Sequence, residues 1–249
     1  MIIRQMASCL ALVAALLAGN ASAGQPVDEA VAEQLRSAME MPSTGLIIDT
    51  VSTSELPGMY EVQFKNGPLV YATQKGDFFV VGDLFTVGPK GYVNLAEKRR
   101  DGQRVEQLAE VKPSDMIVFP AEGKAKAHIT VFTDVTCFYC QKLHKEVPEL
   151  NKRGVEVRYL AYPRAGVGSP GFRQLASAWC ADDPQQTLTK LKNREALPDN
   201  VCPNNPVAKQ YKLGQEMGVR GTPAIVTESG QMIPGYQSAD ELMVSLGLE

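Results

Sequence analysis

Several things are scarce in this sequence, and each shortage narrows what it can be. No apolar run reaches the roughly 20 residues that a membrane-spanning helix needs; the N-terminal run, from Ala7 to Ala18, stops short of that length. Positive charge is not in excess. Lys and Arg number 25 against 28 Asp and Glu, a net of −3, which leaves no electrostatic footprint for nucleic acid or an anionic membrane. Histidine is limited to His128 and His144, and no internal repeat or low-complexity segment is present. Cysteine is sparse but placed with purpose: Cys9, Cys137, Cys140, Cys180 and Cys202.

The N-terminus reads as a leader. Arg4 precedes the apolar run, and Ala21-Ser22-Ala23 follows it as a small-x-small cleavage pattern. A secretory signal over residues 1–23, cut after Ala23, is the prediction, with a short buried helix as the alternative. Cys9 leaves with the leader, and because the apolar run follows Cys9 instead of preceding it, a lipoprotein anchor is not expected. The mature chain, 24–249, keeps 24 basic and 28 acidic side chains, a net of −4. Its length suits one large domain or two ordinary ones. Its four cysteines suggest disulfides in an exported chain, with three pairings open. A chain of this size does not need stapling for want of a core, so a special task for some of them is expected.

Val27, Val31, Leu35 and Met39 fall at helical spacing, ended by Pro42. From Gly45 to Val93 short apolar runs alternate with turn signals, Asn66-Gly67 being a strong hairpin signal and Lys75-Gly76 a weaker one. Residues 24–93 therefore read as a small α+β domain, about 70 residues and marginal for an independent core. Residues 94–112 form a charge-rich linker helix. Asn94 caps it, Leu95, Val105 and Leu108 are its apolar contacts, Gly102 is a possible flexing point, and Pro113 ends it. Residues 113–249 alternate as β-β-α-β, a helical insert over roughly 170–218, then β-β-α: an α/β sheet domain.

The chemistry is at "FTDVTCFYC". A strand ends at Asp134, Val135 and Thr136 turn the chain, and Cys137 sits at a helix N-terminus. Free N–H groups and the helix dipole favour its thiolate. Cys140, one turn inside, gains less and is expected to be more buried. The pair reads as an exposed nucleophile and a resolving thiol, the arrangement thiol–disulfide exchange requires. Zinc competes, because Cys180, Cys202, His128 and His144 could supply the further ligands of a tetrahedral site. However, Cys180 and Cys202 do not form a second short-spaced pair, and both histidines read as surface or boundary residues. The exported compartment and the strand–turn–helix context favour redox chemistry, so no metal is expected. A Cys180–Cys202 bridge would pin the helical insert and contribute roughly 3 kcal/mol. The alternative, electron exchange with Cys137, has no helix-terminus geometry behind it.

Together "FTDVTCFYCQKLH", "VRYLAYPR", Trp179-Cys180 and "GVRGTPAIV" resemble the DsbC/DsbG family of exported bacterial disulfide isomerases. The resemblance covers nearly the whole mature chain. It implies a thioredoxin fold with a helical insertion over 113–249, and an N-terminal dimerisation domain that builds a V-shaped homodimer with its sites facing a shared cleft. It implies a cis Thr222–Pro223 bond beside the cysteines, with the Thr222 backbone pairing with substrate. Cys180–Cys202 matches the family's structural bridge, and a DsbD-type membrane reductase would keep Cys137 and Cys140 reduced in the periplasm. Phe138 departs from the family pattern, where the best-known member has Gly; Tyr139 keeps it. These two residues tune the redox potential and shape the docking surface, so Phe138 leaves the potential open but not the reaction type. Some thioredoxin-fold reductases bury an acid six residues before the first cysteine; here Val131 stands there. Asp134 is nearer, with a structural role in the turn expected and proton transfer as the alternative.

The expected function is a protein thiol:disulfide isomerase acting on misfolded exported proteins, without metal or organic cofactor. Its rivals are a thiol oxidase, or a reductase protecting single oxidised cysteines, a holdase chaperone whose apolar cleft binds unfolded chains, and a zinc module.

Overall fold

The structure, a computed structural model, describes residues 24–65, 67–88 and 91–248. The predicted signal over 1–23, its cleavage point, and Asn66 of the predicted hairpin lie outside the described residues. Among the described residues no helix is long and apolar enough to cross a membrane. The chain divides into two compact units between Asp83 and Leu84.

The first unit holds helix α1 (Glu29–Met39) and an antiparallel sheet of β1 (Ile48–Thr53), β2 (Met59–Phe64), β3 (Leu69–Thr73) and β4 (Phe79–Val81), in that order. The helix turns Ala32, Leu35 and Met39 to one side, the spacing of a single helical face. They join Ile48, Val51, Val62, Phe64, Val70 and Ala72 in a small core. The turn after β3 presses on α1. Gly76 has φ +70°, and a Cβ there would lie 2.7 Å from the Ala38 Cβ, so the position takes only glycine. The last strand, β4, leaves Phe79, Val80 and Val81 exposed, with Phe78 beside them.

The second unit begins with a hairpin, β5 (Phe85–Gly88) and β6 (Gly91–Asn94), and helix α2 (Leu95–Ala109). Asn94 caps α2 as predicted, its Oδ1 accepting the Glu97 N–H at 3.0 Å. The predicted apolar stripe is not what anchors the helix. Val105 is exposed, Leu108 only partly packed, and the buried residues are Ala96 and Arg104. The Arg104 guanidinium donates to the carbonyls of Met217 (3.2 Å) and Gly230 (3.3 Å) and to the carboxylates of Glu97 (2.7 Å) and Asp101 (2.9 Å). Its charge is thus satisfied on every side, which makes its burial tolerable. The helix backbone also meets the Gly230 backbone so closely that a Cβ at 230 would overlap the Asp101 carbonyl. While Glu97 keeps Arg100, Arg104→Ala removes this donor from the Met217 and Gly230 carbonyls and the Asp101 carboxylate. It is expected to destabilise the unit by about 2–4 kcal/mol, read by urea unfolding followed through Trp179, the single tryptophan. An unchanged midpoint would mean that packing, not the guanidinium, holds α2.

The rest of the unit is one five-stranded sheet in the order β11-β10-β8-β9-β7, with β8 and β9 parallel and the other pairs antiparallel. These strands are β7 (Ile117–Phe119), β8 (Ala127–Thr133), β9 (Val155–Ala161), β10 (Ala224–Thr227) and β11 (Met232–Pro234). Helix α3 (Phe138–Lys152) connects β8 to β9. Helices α4 (Pro170–Trp179), α5 (Pro184–Lys192) and α6 (Val207–Glu216) form the insertion, and α7 (Ala239–Ser245) closes the chain. Side-chain alternation along the strands builds two cores. Ile129, Val131, Val155, Val157, Tyr159 and Ile225 join one, and Phe132, Leu160, Ala224 and Val226 the other. A sheet covered on both faces holds its central strand end rigidly, and the cysteines begin at that end.

Candidate functional site

The central strand β8 ends at Thr133, and four residues later α3 starts with Cys137 as its N-cap. Asp134 shapes the turn between them. Its Oδ1 accepts from Thr136 N–H and Oγ1–H, both at 2.8 Å, and its Oδ2 accepts from Arg164 N–H at 2.9 Å and Nε–H at 3.3 Å. Burial alone would raise this carboxyl. The bonds from Arg164 and Thr136 outweigh it and hold the acid below its ordinary range. Asp134 therefore stays ionised and structural, in line with the role expected for it in the turn.

Both sulfurs are buried: Cys137 is 4% exposed and Cys140 1%. Cys140 is the deeper of the two, as expected, but the exposed nucleophile predicted at Cys137 is not found. The reason is the Thr222–Pro223 loop, whose peptide bond is cis. The Cys137 Sγ lies 3.2 Å from the Thr222 carbonyl oxygen, which covers it. The Thr222 hydroxyl is buried as well, on the side of the two sulfurs. The residues that reach solvent are Phe138 (60%) and Tyr139 (56%), whose rings meet edge to face at 5.4 Å.

The two thiols are strongly unlike. Cys140 donates its S–H to the Cys137 sulfur, and this, against the opposing effect of burial, brings Cys137 down to about 5; Thr222 and the Arg164 guanidinium add to the lowering. Burial, together with its role as that donor, pushes Cys140 well above the ordinary thiol range. At neutral pH the geometry thus holds a thiolate at the helix N-terminus and a protonated thiol behind it.

Cys180 and Cys202 are bonded to each other, with S–S 2.03 Å and Cα–Cα 5.6 Å. Cys180 ends α4 and Cys202 lies in the loop before α6, so the bridge spans the insertion as predicted. Cys137 and Cys140 are left as the free pair. His128 sits half-exposed at the start of β8, its ring 2.7 Å from Glu228, as a boundary residue should. His144 does not match its expected boundary position. It is buried, with its ring nitrogens 3.0 Å from the Tyr159 hydroxyl and 3.0 Å from Thr189 Oγ1. Burial, helped by the nearby Lys192 charge, lowers it to about 3, so it is neutral. The signal was present in α3: Cys140, Leu143, His144, Val147 and Leu150 form one helical stripe, and a histidine inside such a stripe faces the core.

Lys192 was not singled out at all. It follows Leu188 and Leu191 on the buried side of α5, and its Nζ donates to Thr133 Oγ1 and to the Asp134 carbonyl, at 3.1 Å for the latter.

Comparison with known proteins gives a consistent result. The thioredoxin-like domain family matches residues 113–246, and the family described as the disulfide bond isomerase protein N-terminal domain matches residues 22–97. A thiol:disulfide interchange protein DsbC from Dickeya dadantii (strain 3937) is 37% identical, covering 81% of this chain and 82% of that one. The protein of the same name from Salmonella typhimurium is 35% identical over 94% of this chain and 92% of its own length. A crystal structure of a disulfide interchange protein from Neisseria gonorrhoeae aligns with TM-score 0.49 and 26% identity, over 56% of this chain and 100% of that one.

Proposed function

The chain belongs to the DsbC family of thiol:disulfide interchange proteins, and from that premise we propose that it is a protein thiol:disulfide isomerase for exported proteins. The observation that carries this reading is the geometry of the free pair: Cys137 as the N-cap of α3, 3.2 Å from the Thr222 carbonyl, with Cys140 buried one turn behind it. The Cys137 thiolate attacks one sulfur of a wrong disulfide. A mixed disulfide forms, and the other substrate sulfur leaves as a thiolate. A third substrate thiolate then attacks the substrate sulfur of the mixed disulfide, which makes a new substrate bond and returns the Cys137 thiolate. No electrons are gained or lost overall. If the substrate stalls, Cys140 loses its proton and attacks the Cys137 sulfur. The substrate leaves as a thiolate, reduced by two electrons, and the enzyme is left with a Cys137–Cys140 disulfide. A DsbD-type membrane reductase returns those electrons. The scheme calls for no metal or organic cofactor.

The roles follow. Cys137 and Cys140 are catalytic. Thr222 pairs its backbone with substrate beside Pro223. Phe138 and Tyr139 offer an exposed aromatic docking surface, which suits broad recognition of unfolded chains. Cys180–Cys202 is structural. Residues 24–93 act as a dimerisation domain, 94–112 as a linker, and 113–249 as the catalytic domain. Exposed apolar residues at the sheet edge β4 support a homodimer, since such an edge favours pairing with a second chain. The leader pattern supports a periplasmic location.

Scrambled ribonuclease, with complete but wrong disulfides, tests the reaction. Reduced protein of residues 24–249 is expected to restore ribonuclease activity with many turnovers per enzyme, and the Cys137→Ala variant to restore none. Rescue by that variant would point to holding without exchange. Reduction or oxidation without reshuffling would leave the redox pair standing but replace the reaction.

A further inference from the structure

Lys192 has no part in that exchange scheme, yet its placement is costly. It is 2% exposed, at the end of α5 in the helical insertion. Its ammonium reaches the turn that carries the cysteines. The Asp134 carbonyl oxygen that accepts from Nζ at 3.1 Å also accepts the Cys137 N–H at 3.2 Å. Lysine and nucleophile thus share one acceptor atom. The second bond of Nζ goes to Thr133 Oγ1. An ammonium has three hydrogens, so one remains beyond these two bonds.

No neighbouring carboxylate among the described residues binds the ammonium directly. The Asp134 carboxylate is turned to Thr136 and Arg164. The Tyr159 ring lies 5.8 Å from Nζ, and its hydroxyl is engaged by the neutral His144. Arg194, just beyond α5, is held by Gln141. Among the described residues no carboxylate forms an ion pair with Lys192. Burying a charge without a direct ion pair is costly. Burial draws Lys192 towards the neutral amine and lowers it overall; against this, Cys140 first, then Asp134 and Cys137, favour the ammonium.

We propose that Lys192 is the buried counter-charge of the cysteine pair, a positioning residue through which the helical insertion favours the Cys137 thiolate in the reduced protein and the Cys140 thiolate at the moment it resolves a mixed disulfide. The proposal rests on the thiol-exchange reading above. Its consequence is directional. In the reduced protein the ammonium faces a thiolate; in the disulfide form both sulfurs are neutral and the ammonium loses that anion. Lys192 therefore favours dithiol over disulfide.

The test compares the 24–249 protein with its Lys192→Met variant, similar in length and without charge. Each is equilibrated at pH 7 with reduced and oxidised glutathione, and the dithiol fraction is counted by alkylation and mass. The variant is expected to shift towards the disulfide by about threefold to tenfold. A lysine that only packs would alter unfolding temperature in both redox forms and leave this equilibrium within twofold, which would overturn the proposal. If the parent itself shows no dithiol–disulfide equilibrium, the exchange reading fails first and takes the proposal with it. Should the variant fail to fold, the Nζ nitrogen-15 resonance of Lys192 in the unchanged protein decides. It is expected to titrate at higher pH in the reduced form than in the oxidised form, and equal titration would overturn the proposal.

Discussion

Cys140→Ser is expected to turn a passing contact into a lasting one. The mixed disulfide at Cys137 has two exits, attack by a substrate thiol and attack by Cys140, and only the second is open when the substrate stalls. With the Cys140 sulfur gone, stalled adducts remain. On a non-reducing gel after incubation with scrambled ribonuclease, the variant should carry about tenfold more enzyme–substrate adduct than the parent, and dithiothreitol should release it. The Cys137→Ala variant should carry none, because the buried Cys140 thiol is held protonated. Adducts that persist in Cys137→Ala, or fail to build up in Cys140→Ser, would reverse the roles assigned to the two sulfurs.

The reactivity of Cys137 should also be nearly independent of pH where other thiols are still silent. The thiolate is the nucleophile, and this one forms at about 5. Alkylation of the reduced protein by iodoacetamide is expected to be half-maximal near that pH, to fall about tenfold per unit below it, and to be flat above about pH 6. An ordinary cysteine is half-maximal only at about pH 8.5 and keeps gaining to about pH 9.5. At pH 6 the protein should therefore react about 5–10 times faster than an ordinary cysteine, the lower intrinsic nucleophilicity of a low-pKa sulfur trimming a much larger thiolate advantage. Mass analysis should place the label on Cys137 alone. The same shift acts on stability. A thiol lowered in the folded state gives stability that is full above its unfolded pKa and is lost as pH falls through the folded one. The reduced protein should thus gain on the oxidised protein, which lacks the titrating thiol, as pH rises from about 5 towards the ordinary thiol range. A half-maximal alkylation pH near 8.5 would remove the basis for both effects.

How much of this could be read from residues alone differs by the kind of signal. Helix and strand positions carried strong periodic patterns, so α1, α2 with its Asn94 cap, and the β-β-α-β order around Cys137 were legible. The Cys137–Cys140 spacing and its helix-terminal setting are local, and local features survive without a fold. What escaped depends on contacts across the chain. Whether Cys137 is covered is decided by Thr222, 85 residues away. Arg104 looks like one more charge on a polar helix until the carbonyls of Met217 and Gly230 come to it. Lys192 looks like the solvated end of a helix until the strand-to-helix turn supplies its acceptors. Long polar side chains have ambiguous periodicity, because they bury only when distant partners satisfy them.

The cysteine connectivity has a bearing on how the chain is made. Among the described residues the disulfide joins neighbours in cysteine order, Cys180 and Cys202, and the free pair, Cys137 and Cys140, are neighbours too. The proposed mature chain, 24–249, entering an oxidising space N-terminus first, would present Cys137 and Cys140 together before either later cysteine. Closing those two into a short ring costs less loop entropy than any longer closure, and Cys180 then has Cys202 as its remaining partner. An oxidant that simply joins cysteines in order of appearance would make no error on residues 24–249. A protein proposed to correct the disulfides of others thus has a pairing order that needs no correction during its own biosynthesis.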